Sequence, residues 1–116
     1  MTRGFSLIAI GALLALTATQ TFAAGDPARG KTKIATCVAC HGQDGNSVDP
    51  QYPRLAGQYA DYLAQALHEY KTGQRGNPVM KGFAATLSDQ DITDISAYFS
   101  TMPTRLSGLE GHIQGE

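Results

Sequence analysis

Charge is scarce in this chain: Asp, Glu, Lys and Arg make up 16% of its 116 residues, with 9 basic side chains against 10 acidic ones. A formal net charge of -1 leaves no basic stripe for a phosphate backbone, so the composition is not that of a nucleic-acid-binding chain. No alternating apolar run marks a strand, no segment repeats, and nothing divides the chain into two domains. Large apolar side chains are also few. The first 23 residues hold 14 of the 49 apolar side chains, and of the other 35, 11 are alanines and two are cysteines, which leaves 22 of useful size. A domain this short buries roughly 60 to 65% of its unfolded surface even when well packed. It therefore needs a staple or a cofactor.

Residues 1–23 read as an address. One cation, Arg3, precedes the apolar stretch Phe5 to Leu16, and small and polar residues follow from Thr17 to Ala23. That is the order of a secretory signal peptide, with cleavage expected after Ala23, where Thr21 and Ala23 are small enough for a peptidase pocket. The alternative, a membrane anchor, is disfavoured because a helix needs about 20 apolar residues to cross a bilayer. Removal of the segment takes Arg3 with it and leaves 8 cations against 10 anions, a mature charge of -2 outside the cytoplasm.

The mature chain reads as all-α, with three main helices joined by loops. Asp26-Pro27 supplies an N-cap carboxylate and a proline at the first helical position, and this helix is predicted to run to about Cys37. His41 to Pro53 is rich in turn residues and reads as a loop. From Gly57 the residues Tyr59, Leu63, Ala66, Leu67 and Tyr70 recur at helical spacing, and Gly73 ends that helix. Gly73 to Gly82, with three glycines and Pro78, reads as a second loop, and Phe83 to Leu87 is ambiguous. Ser88 with Asp91 approximates a capping box for a last helix whose inward stripe is Ile92, Ile95, Phe99 and Met102, closed by Pro103. The domain is expected over 24–103 and a flexible tail over 104–116.

Cys37-Val38-Ala39-Cys40-His41 carries the chemistry. A Cys-x-x-Cys-His run in an exported chain with no other cysteine reads as covalent attachment of a c-type haem: Cys37 and Cys40, three apart, form thioethers along one ring edge, and His41 binds the iron. A Cys37–Cys40 disulfide suits the compartment, but a thioredoxin-like site follows a strand in a βαβ unit, which is missing. A zinc site needs four closed ligands, and the remaining histidines are poorly placed.

Iron held by one histidine alone is open to gases or peroxide, so the second axial ligand decides the function. Met1 leaves with the signal, His68 lies on the polar face of its helix, His112 lies in the tail, and Met102 continues a core stripe. Met80 remains. It falls in the run Arg75 to Gly82, read as loop, where glycines and Pro78 let backbone pass close to a flat ring. The alternative is a Met80 that covers the ring without bonding.

These motifs make the chain resemble the class I c-type cytochromes, most closely the small single-haem bacterial periplasmic members and one half of the soluble dihaem ones. The likeness runs from Gly25 to about Met102 on Gly30-Lys31, Cys37 to Gly42, Asp44-Gly-Asn46, Pro53 to Gln58, Tyr62-Leu63, Lys71-Thr-Gly73 with Arg75, Met80 with Ala84, and Leu87-Ser-Asp to Ala97-Tyr98-Phe99. It departs at Ala66, where glutamine is usual. The resemblance implies the class I fold wrapped around one covalent haem c, with the backbone oxygen of Pro53 holding the His41 imidazole, Leu55 on the proximal face, and Gly30 and Ile34 crossing the last helix at Ile95 and Tyr98.

His41 and Met80 together leave iron no open position, and the neutral thioether favours Fe(II). The expected function is a periplasmic one-electron carrier, not an enzyme, whose partners are redox proteins acting as donor and acceptor. No nucleic acid partner and no membrane span after signal cleavage are expected, and no oligomeric state is specified. The alternative is a cytochrome subunit of a larger periplasmic dehydrogenase or reductase.

Overall fold

The computed structural model describes residues 24–105, so the expected signal peptide at 1–23 and residues 106–116 lie outside the described part. Five helices follow one another, α1 Pro27–Lys31, α2 Ala35–His41, α3 Ala60–Thr72, α4 Pro78–Ala85 and α5 Asp89–Thr101, and no strand occurs among the described residues.

Two expectations about helix boundaries are corrected. The continuous first helix is two. The Thr32 amide turns back to the Arg29 carbonyl at 3.1 Å, its hydroxyl takes the same oxygen at 2.7 Å, and the Lys33 amide donates to the Gly30 carbonyl at 2.9 Å. These short-range bonds close α1 after five residues, and α2 starts afresh at Ala35. The second correction is at 78–85, where the expected loop and the ambiguous stretch after it form α4. Asn77 caps it by accepting from the Met80 amide at 3.0 Å, and Pro78 takes the first turn. This is the same cap-then-proline signal that marks α1, where Asp26 accepts from the Ala28 amide at 2.8 Å. Gly82 masks it in the sequence, yet it sits in the helix with open space where a side chain would be.

Other boundaries follow the sequence closely. Gly73 ends α3 in the left-handed conformation at φ 83°. Ser88 and Asp91 form a full capping box at α5, with Ser88 Oγ accepting from the Asp91 amide and Asp91 accepting from the Ser88 amide.

α5 is the central helix, packing on α1 and on α3, while α4 packs on α3. The crossing of α1 and α5 is close because residues 25 and 30 are glycines: a Cβ on Gly30 would stand 2.9 Å from Tyr98 Cβ and collide with the Asp94 carbonyl. At this crossing Asp94 is fully buried, accepting from Arg29 and from the Asp26 amide. The apolar core is small. Ile34, Leu63, Ile95 and Phe99 form it, flanked by half-buried Cys37, Val38, Leu55, Leu67, Leu87, Tyr98 and Met102.

Thr104 and Arg105, the first residues of the expected tail, are held in place. Asn46 donates to the Pro103 carbonyl at 2.9 Å and accepts from the Arg105 amide at 2.8 Å, and the Arg105 guanidinium reaches Asp44 at 3.2 Å. Gly57 allows Thr104 to lie against it.

Candidate functional site

A cleft of about 360 Å³ opens between α2, α3, α4, α5 and the loop that follows α2. Each element brings a different kind of side chain. α2 contributes Cys37, Cys40 and His41, the loop contributes Pro53 and Leu55, α3 Leu63, Leu67 and Tyr70, α4 Met80 and Phe83, and α5 Ile95, Ser96 and Phe99. All six residues expected from the sequence to form the site, Cys37, Cys40, His41, Pro53, Leu55 and Met80, therefore face one space, although they come from three segments of the chain.

His41 is 6% exposed. Its Nδ1 lies 2.8 Å from the Pro53 carbonyl oxygen. A carbonyl can only accept, so Nδ1 carries the proton and donates. The neutral imidazole then keeps its lone pair on Nε2, which is the tautomer a metal-binding histidine needs, and the hydrogen bond fixes the ring's direction while strengthening it as a donor. Leu55 stands two residues past Pro53, and its amide is tied to the Gly45 carbonyl at 2.8 Å. Gly45, at φ 68°, makes the turn on which Leu55 and Ala56 are hung.

Cys37 and Cys40 are free thiols, half-buried, and both line the cleft. Burial pushes the Cys37 thiol up from its usual value. A disulfide-exchange cysteine has the opposite environment, one that lowers the thiol. Among the described residues no strand precedes α2, which speaks against the thioredoxin-like reading on geometry as well. Among the described residues no three His, Cys, Asp and Glu side chains converge on one point, which disfavours a closed zinc site. An apolar chamber with one correctly oriented imidazole, two unpaired cysteines along its wall and one methionine fits a covalently attached haem.

The two described methionines have different places. Met80 sits in the first turn of α4 and lines the cleft. Met102, at the end of α5, is outside the cleft lining, packs on the core, and has its sulfur 3.0 Å from where a Cβ on Gly45 would stand. His68 is on the partly exposed side of α3, its Nδ1 3.9 Å from Asp89, and does not reach the cleft. Met1 and His112 lie outside the described residues.

Phe83 and Ser96 are among the lining residues that the sequence did not reveal. Phe83 was in an ambiguous stretch, and as the sixth residue of α4 it lies one turn beyond Met80 on the same face. Ser96 stands beside the apolar stripe of α5, and a serine between Ile95 and Ala97 gives no sequence signal of a place in the cleft wall.

The family model described as cytochrome c matches residues 27–103. The chain is 47% identical over 96 residues to a cytochrome c4 of Pseudomonas aeruginosa, covering 81% of this chain and 48% of that protein. It is 53% identical over 81 residues to cytochrome c-554(548) of Halomonas halodenitrificans, covering 67% of this chain and 98% of the relative. The reduced cytochrome c4 of Pseudomonas stutzeri superposes with a TM-score of 0.66 at 45% identity, over 69% of this chain and 47% of that one. The chain thus spans about half the length of the cytochrome c4 relatives it matches.

Proposed function

We propose that this chain, which belongs to the cytochrome c family and carries haem c, is a periplasmic one-electron carrier with histidine and methionine as axial ligands. The observation that carries the reading is the His41–Pro53 hydrogen bond of 2.8 Å, which leaves Nε2 as a lone-pair donor at a cleft that Cys37, Cys40 and Met80 also line. Haem c supplies the Fe(III)/Fe(II) couple when bound.

The chain's own residues do the rest. Cys37 and Cys40 would hold the ring through thioethers, so that it stays in place when the charge at its centre changes. His41 would bind the iron, with its ring direction set by Pro53. Met80 would bind it through a neutral, soft sulfur that favours the reduced state. Leu55, Leu63, Leu67, Ile95 and Phe99 exclude water from the walls, which limits solvent rearrangement when an electron arrives. Val79 and Phe83, 62% and 44% exposed, mark the open side of the cleft, the short path for an electron to a partner.

Residues 1–23 would deliver the chain through the inner membrane, and the unit working in the periplasm is 24–103 with whatever follows it. None of the described helices is long and apolar enough to cross a membrane. The partners are redox proteins that donate and accept the electron.

The test is production with the native leader and haem-attachment machinery, followed by mass spectrometry, redox titration and exposure to carbon monoxide. One covalent haem, a single one-electron wave and a reduced form that does not take up carbon monoxide at neutral pH are expected. Ready binding of carbon monoxide by the parent would mean an open sixth position, and ligand chemistry would replace electron transfer.

A further inference from the structure

Four serine and threonine hydroxyls lie along α5, and three of them fold back on their own helix. Thr93 Oγ1 donates to the Asp89 carbonyl at 2.9 Å, Ser100 Oγ to the Ala97 carbonyl at 2.7 Å, and Thr101 Oγ1 to the Tyr98 carbonyl at 2.7 Å. Ser96 does not. It is 1% exposed, it belongs to the wall of the cleft together with Ile95 and Phe99, and its Oγ has no hydrogen-bond partner among the described residues. A hydroxyl taken out of water and given nothing in return costs folding free energy, and alanine in its place would not carry that cost. The three paired hydroxyls have fixed dipoles pointed into backbone. The Ser96 dipole is free to turn.

We infer that the Ser96 hydroxyl lowers the reduction potential of the iron centre held in this cleft. The inference rests on the haem reading above. One electron enters on reduction and one unit of positive charge leaves the cleft, with no bond broken and no proton moved. Ser96 can present its oxygen end to the more positive, oxidised state, and in a dry wall of low dielectric that interaction is poorly screened. When the charge falls by one, the favourable interaction weakens. The hydroxyl therefore holds the oxidised state down relative to the reduced one, opposite in sign to the effect of the Met80 sulfur. A polar side chain near the ring is one of the levers a protein has over a haem.

The test is a redox titration of the haem-loaded parent, Ser96→Ala and Ser100→Ala, with thermal melting of each. At the ambient potential where the parent is half reduced, Ser96→Ala should show a reduced-to-oxidised ratio higher by about threefold or more, with a melting temperature equal to or above the parent's. Ser100→Ala, which removes a hydroxyl already paired to backbone, should leave the ratio where the parent has it. A Ser96→Ala ratio that is unchanged or lower overturns the inference, as does a Ser100→Ala shift of equal size. A drop in melting temperature with no change in ratio would make the hydroxyl a structural element only, and overturns it too. Failure of the underlying haem reading looks different: the parent would then carry no covalent haem and show no titrating band.

Discussion

Arg29 of α1 grips the carboxylate of Asp94 on α5 through two nitrogens, Nε to Oδ2 at 2.8 Å and Nη2 to Oδ1 at 3.0 Å, with Asp94 wholly buried beneath it. The same carboxylate accepts from the Asp26 amide at 2.8 Å and from Gln90 at 2.9 Å. One buried acid thus ties the start of the described residues to α5. The Arg29 hydrogen bond, followed by the Asp26 amide, holds the Asp94 carboxyl well below the usual carboxylate range.

Acid should undo this tie. Asp91 is also depressed, to about 2, first by its hydrogen bond from Lys33 and then by the Ser88 amide. A carboxyl whose folded pKa lies below its unfolded value of about 3.9 contributes stability that is complete above that value and is lost as pH falls through the folded pKa. Melting temperature should therefore start to fall below about pH 5 and go on falling toward pH 2. Asp94→Asn should lower the melting temperature at pH 7 and flatten the acid limb. An acid limb as steep as the parent's would place the titrating group elsewhere.

Gly30 makes the same crossing possible. A side chain there meets Tyr98 Cβ at 2.9 Å and the Asp94 backbone, neither of which can swing aside. Gly30→Val should destabilise the loaded protein by about 1 to 3 kcal/mol through overpacking, read by denaturant titration. Equal stability of variant and parent would mean that the helices separate at no cost.

Met80→Ala and Met102→Ala should give opposite spectra. Met80 lines the cleft and Met102 packs outside it. Loss of Met80 should keep the covalent haem, remove the weak far-red sulfur-to-iron band of the oxidised protein, lower the potential and admit carbon monoxide to the reduced form. Loss of Met102 should cost about 2 to 5 kcal/mol of stability or less and leave the band in place. Loss of the band in Met102→Ala would reverse the ligand assignment.

Folding should depend on the cofactor. Of the four buried apolar residues at the centre, Ile34, Leu63, Ile95 and Phe99, the last three line the cleft and do not fill it. Ordering each residue costs about 1 to 2 kcal/mol, which so small a core does not offset. Production in the cytoplasm without the leader or haem attachment should yield a mostly unfolded chain by circular dichroism. A cooperative, helical apoprotein would refute the dependence.

The features legible in the sequence alone are local ones. The Cys37 to His41 run, the Asp26-Pro27 start, the Ser88–Asp91 box and the Gly73 stop each depend on residues within one or two turns of one another, so short-range sterics and hydrogen bonds decide them. Cys37, Cys40 and His41 were legible for the same reason, since a haem-attachment run is a contiguous motif, whereas Met80 was reached by elimination and Pro53 and Leu55 through the family resemblance. The helix at 78–85 was hidden because three glycines and a proline between 73 and 82 resemble a loop in composition, and only the packing of α4 on α3 shows that its propensity is overridden. Other features were beyond any local rule. Asp94 is a charged residue on a polar-looking helix, and its burial depends on an arginine 65 positions earlier. The orphan hydroxyl of Ser96 exists because packing at the cleft wall shuts that residue off from solvent. Asn46 meets Pro103 and Arg105 across more than half the described chain. Whether a polar side chain is solvated, paired or stranded depends on what arrives from far along the chain, and that is settled only when the helices cross.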